Sequence, residues 1–219
     1  MDAKDELPIM PAPPAERLTP SRTFQHIGID YLEPILVTNQ QIIQEKWICL
    51  FTCLVTSAAH LECVNSLSAN GFNCILQRFV TIKGKPETIT SDNTTQFVAA
   101  IKTSSITWHF IEAHAPWKSG FYERLIRLTK QTLRKAIGKR LLTIRELEQL
   151  TYATMEIMNT RPITQVLDDC NKILKPMNFL VPAIPLHQSQ ITSQYVPCCI
   201  LVQMLNQLRY LETICLGPL

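Results

Sequence analysis

FQHIGIDYLEPILV (residues 24–37), KWICLFTCLVT (46–56) and HLECV (60–64) decide the fold. Phe24–Tyr31 reads as a strand. Asn39–Glu45 is polar and reads as a hairpin loop. Lys46–Thr56 is dense in aromatic, β-branched and other apolar residues, and His60–Val64 reads as a third strand. Three strands with short links make an antiparallel meander. Downstream, Ser68 has the character of a helix cap, and the helix it opens runs to about Ile82, where Gly84 and Pro86 end it. Glu87–Thr90 is a short strand running into Ser91-Asp92-Asn93, Phe97–Lys102 a short helical turn, and Thr107–Ile111 a fifth strand. Residues 119–138 form a clear helix stopping at Gly138, and Thr143 caps another over 144–159, closed by Arg161-Pro162. The order β-β-β-α-β-α-β-α-α is that of an α/β protein: a mixed five-stranded sheet flanked by helices.

This core occupies residues 24–165. Residues 1–23 contain Pro8, Pro11, Pro13, Pro14 and Pro20 and read as an extended lead-in. Residues 166–219 are broken by Pro176, Pro182, Pro185, Pro197 and Pro218 and read as an irregular tail. The chain has 219 residues, of which 46% are hydrophobic and 18% charged, which excludes a mainly disordered protein. Its longest apolar runs, Trp47–Val55 and Val196–Leu205, are about half of the roughly 20 residues that span a bilayer, so no membrane segment is expected. The opening MDAKDELP lacks the basic and apolar regions of a signal peptide, which makes an intracellular location the expectation. The eight cysteines (49, 53, 63, 74, 170, 198, 199 and 215) form no CxxC pair and read as reduced thiols rather than disulfides or a zinc site.

Three carboxylates stand out by placement: Asp30 within the first strand, Asp92 just past the fourth, and Glu123 in the first turns of the long helix. Converging carboxylates repel one another unless a hard cation lies between them. Two such cations about 4 Å apart serve phosphoryl transfer. Each acid also has a plain structural explanation. Asp30 can end a strand, Asp92-Asn93 can make an Asx turn, and Glu123 can complement a helix dipole. The mid-strand Asp30 fits that explanation worst.

The long helix adds an independent signal. The formal net charge of the chain is only +3, yet residues 118–140 carry +7, leaving −4 for everything else. The bases are Lys118, Arg124, Arg127, Lys130, Arg134, Lys135, Lys139 and Arg140, with Glu123 the only acid. Positions 123, 127, 130 and 134 recur along one helical face, while Phe121, Leu125, Leu128, Thr132 and Ala136 occupy the other. One carboxylate followed by three cations suits a phosphate backbone laid over a metal site.

The blocks FQHIGIDYLEPILV, LFTCLVTSAAHLECVNSLSANGF, RFVTIKGKPETITSDNTTQFVAA, APWKSGFYERLIRLTKQTLRKAIG and MNTRPIT, in this order, resemble the integrase catalytic core of BEL/Pao-type LTR retrotransposons, over about residues 8–187. The resemblance implies a retroviral-type, RNase H-like fold. It implies a D,D,E triad on Asp30 in GIDY, Asp92 in TSDN and Glu123 in FYER, binding two Mg²⁺ or Mn²⁺ ions. It further implies 3′-processing and strand transfer of DNA, with element ends and target DNA as partners, homo-oligomerisation, and nuclear action. The long helix's Lys118, Arg124, Arg127, Lys130, Arg134 and Lys135 would then hold DNA, with Asn93, His114 and Trp117 as further contacts. The sequence departs from the family's pattern in several places. Thr94 stands where SDNG has Gly, Ser119 replaces a glycine of APWxGG, Ser57 replaces a basic residue, and only thirty residues lie between Asp92 and Glu123. No stretch resembles the zinc-binding module of integrases.

Other pairs rank lower. His60 with Glu62, and Cys49 with Cys53, share strand faces as metal ligands would, but core and edge packing explains them better. Trp108 reads as a core anchor. Two further functions compete with the integrase: a catalytically degraded or host-retained DNA-binding remnant of the same fold, and an RNase H-type nuclease acting on RNA–DNA hybrids.

Overall fold

Alternation along the first strand, β1 (His26–Tyr31), sends Ile27 and Ile29 to one face of a sheet and Gly28 and Asp30 to the other. The computed structural model describes residues 19–92, 97, 106–110, 116–163 and 173–180. After β1 come β2 (Ile35–Asn39), β3 (Ile42–Cys53), β4 (Ala59–Val64), α1 (Ala69–Lys83), β5 (Thr88–Ser91), β6 (Thr107–Phe110), α2 (Pro116–Ile137), β7 (Leu142–Thr143) and α3 (Ile144–Thr160). Pro176–Phe179 adds a 3₁₀ turn. The strands form one mixed sheet in the order β6-β5-β1-β3-β2-β7, with β4 on the other side of β3. β1 runs antiparallel to β3 and parallel to β5.

Among the described residues the sheet has seven strands where the sequence pattern predicts five, the additional two being β2 and β7. The polar stretch expected as a hairpin loop instead continues β3 back to Ile42, paired with β2. The connecting turn is only Gln40-Gln41, with φ of 47° and 71°. Such a left-handed pair is normally signalled by Asn-Gly, and two glutamines hide it. Gln41→Gly should relieve left-handed strain at a small entropic cost. The expected gain is about 0.5 kcal/mol, read as a melting temperature roughly 2 °C higher. β7 is two residues long and exists only because Val37 and Thr38 of β2 pair with Leu142 and Thr143.

Each sheet face buries its own core. Ile27, Ile29, Cys49 and Phe51 pack with Phe72, Ile75 and Phe79 of α1. Ile48, Leu50 and Leu61 pack on the opposite face with Leu125 and Leu133 of α2 and Leu147, Leu150 and Ile157 of α3. Phe51 and Phe79 stack with centroids 4.4 Å apart. Both caps read from the sequence are present. Ser68 accepts from Gly71 N–H, and Thr143 forms a reciprocal capping box with Glu146.

β4 is an edge strand, and its first residue is closed off by a side chain. Asn159 of α3 is buried; its Oδ1 accepts from Ala59 N–H and its Nδ2 donates to Ala59 C=O, both at 2.8 Å. Arg161 extends this strap by donating to Ser57 C=O at 2.8 Å and to Met158 C=O. Of the tail expected to be irregular, Pro176–Phe179 forms the 3₁₀ turn, with Pro176 buried at its start, where a missing N–H costs nothing. Thr23 Oγ1 donates to Phe179 C=O at 2.8 Å and joins the lead-in to this turn. The rest of the proposed lead-in and tail lies outside the described residues.

Candidate active site and nucleic-acid face

Asp30 pairs with Leu50 across β3 and so faces the side of the sheet covered by α2. Its carboxylate Oδ1 accepts from Tyr31 N–H at 2.8 Å. Along the parallel pair, Gly28 faces Thr90 and Ile29 faces Ser91, and Asp30 and Asp92 are the residues that follow on the two chains. Asp92 follows β5 directly and is exposed. Its backbone is anchored from below: Trp108 Nε1 donates to Ser91 Oγ at 2.8 Å, and Ser91 Oγ donates to Asp92 C=O at 2.9 Å. Trp108 thus anchors a strand end, through a fully buried serine that sequence reading passed over.

Glu123 belongs to α2, one turn before Arg127. The side chains of residues 116–123, including Trp117, Lys118 and Glu123, lie outside the described part, as do Asn93 and His114 altogether. Among the described residues, no three His, Cys, Asp or Glu side chains are grouped to hold a metal ion.

The basic face of α2 meets Asp30. A cavity of about 520 Å³ is lined by Asp30 and Glu33 on one side and by Arg127, Lys130 and Arg134 on the other, with Ile126 beneath. Leu125, Thr129, Thr132, Leu133 and Ala136 form the buried stripe of the helix. The Thr129 and Thr132 hydroxyls donate to the carbonyls of Leu125 and Leu128, four residues back, so burying them leaves no orphaned donor. Arg124 and Lys135 are exposed on the helix and do not line the cavity.

Glu33 was not legible as a site residue. Its carboxylate accepts from Arg134 and lies 3.9 Å from Lys130 Nζ. The Arg134 hydrogen bond holds its carboxyl below the ordinary range, helped by the charges of Arg134 and then Lys130. Burial pushes the Cys49 thiol well up, and the negative charge of Asp30 adds to this, which keeps the thiol neutral and unreactive.

The lower-ranked pairs resolve as packing. His60 Nε2 lies 3.1 Å from Glu62 Oε1, Arg78 pairs with Glu62 at 3.3 Å, and the His60 ring packs 5.4 Å from Phe79. Cys49 and Cys53 are buried and unbridged.

No protein-family profile matches the sequence, and no curated protein matches it either. Solved structures do match in shape. A chain of the simian T-cell lymphotropic virus intasome, solved in complex with PP2A regulatory subunit B56 gamma, superposes with a TM-score of 0.50 at 14% identity. The match covers 75% of this chain and 57% of the intasome chain. The chain shares the fold of that intasome chain. The HTLV-2 integrase catalytic core domain, solved with magnesium in a trimeric form, matches over 69% of this chain and 94% of its own, with 15% identity and a TM-score of 0.43. Among the described residues, no helix is long and apolar enough to cross a membrane.

Proposed function

We propose that this protein is the catalytic core of a retroviral-type integrase, of the BEL/Pao retrotransposon kind, carrying out metal-dependent 3′-processing and strand transfer of DNA. The observation that carries this reading is the meeting of Asp30 and the basic face of α2 at one cavity. Asp30, Asp92 and, from α2, Glu123 would hold Mg²⁺ or Mn²⁺, two ions in the full triad. Such ions, when bound, activate the attacking oxygen and steady the leaving one. Arg127, Lys130 and Arg134 hold the DNA backbone by charge, without reading its sequence. Lys118, Arg124 and Lys135, with Asn93, His114 and Trp117, extend that contact. The attacking oxygen is water in processing and the freed 3′-hydroxyl in transfer. The partners are element ends and target DNA, the acting form is a homo-oligomer, and the place of action is the nucleus.

A second reading is favoured by the thirty-residue Asp92–Glu123 interval and by Thr94 and Ser119 in the family's glycine positions. In it the chain binds DNA without cutting it. A strand-transfer assay on short duplex DNA in Mg²⁺ or Mn²⁺ separates the two. The integrase reading expects joined products that vanish with a chelator and with Asp92→Asn. Duplex binding without product, unchanged by Asp92→Asn, would establish the second reading instead.

A further inference from the structure

Glu33 lies in the link between β1 and β2, three residues after Asp30 and just before Pro34. A following proline disfavours the helical conformation at Glu33, which limits where its side chain can reach. Its two oxygens are divided between two bases of α2: Arg134 donates to Oε2, and Lys130 Nζ lies 3.9 Å from Oε1. An arginine fork and a lysine ammonium around two anionic oxygens is the environment a phosphodiester would seek. The Glu33 and Arg134 side chains are 59% and 65% exposed, so the pair contributes little to folding and opens without disturbing the core. The group lines the same cavity as Asp30.

We propose that Lys130 and Arg134 form a phosphate seat beside Asp30, and that Glu33 occupies it as an internal anion which a nucleic-acid phosphate must displace. This rests on reading the basic face of α2 as a DNA-binding surface. Glu33 cancels one of the two seat charges. A single phosphate therefore gains little by displacing it, whereas a run of phosphates also engaging Arg127 gains enough. The device tunes the face toward extended polyanions.

The test is duplex DNA binding by the full chain, followed by fluorescence anisotropy across a salt series. Glu33→Gln should tighten binding about fivefold at low salt and steepen the dependence of log K on log salt by about 0.9, the value for one additional phosphate contact. In an Arg134→Gln background the gain should shrink markedly. Glu156→Gln, which removes an exposed acid on α3, should change neither quantity. Equal binding by the native chain and Glu33→Gln would overturn the seat and leave the DNA-binding reading standing. An equal gain from Glu156→Gln would likewise overturn it, since net charge alone would then explain the effect. Absence of duplex binding by every variant would overturn both.

Discussion

Asp30→Asn is expected to lower metal-dependent strand transfer by about 10³-fold or more while the protein stays folded. The amide keeps an oxygen that can accept from Tyr31 N–H, the contact that Asp30 makes at 2.8 Å, so the end of β1 retains its local bond. What is lost is the negative charge that a hard cation requires. Several kcal/mol of transition-state stabilisation depend on such a cation, and each 1.36 kcal/mol is a factor of about ten in rate. Duplex binding through Arg127, Lys130 and Arg134 should survive, because none of these bases is altered. Strand-transfer product at native levels from a correctly folded Asp30→Asn protein would refute the triad assignment. A loss accompanied by a large fall in melting temperature would show instead that the carboxylate is structural.

Asn159→Ala should destabilise the fold by about 3 kcal/mol. Among the described residues, the outward N–H and C=O of Ala59, on an edge strand, meet no neighbouring strand. The Asn159 amide supplies one donor and one acceptor and so stands in for the missing partner. Truncation leaves two buried backbone groups unsatisfied, at about 1–3 kcal/mol each. The measurement is urea unfolding, with a melting temperature expected to fall by roughly 10 °C. A change below about 1 kcal/mol would mean that water replaces the amide freely. Thr151, elsewhere on α3, offers a contrast. Its hydroxyl donates to Leu147 C=O, a carbonyl that already has a helical partner, so its removal should cost far less.

The strands and helices that could be read in the sequence are those whose pattern is local. β1, β3 and β4 concentrate apolar and β-branched residues, and α1 and α3 begin at polar caps whose side chains do close on their first turns. What escaped has no local signal. β2 turns through two glutamines in a backbone conformation that the sequence does not favour, and β7 owes its existence to pairing with β2. Ser91 looks ordinary until Trp108, seventeen residues on, is folded against it. Glu33 resembles any loop acid until Arg134 arrives from 101 residues away.

The candidate site divides in the same way. Residue type and spacing singled out Asp30, an acid poorly suited to mid-strand, and the helical run of Arg127, Lys130 and Arg134, because charge and periodicity are properties of the chain itself. Only the tertiary structure could bring them together. The sheet pairing places Asp30 on the face that α2 covers, and the buried stripe of α2 turns its basic face toward it. The sequence by itself determined the elements with a local pattern, β1, β3, β4, α1 and α3 among them, and that one helix holds a concentrated positive charge. Where that charge points, and which carboxylates answer it, was decided by hydrogen-bond register and by packing, which act between residues that are distant along the chain.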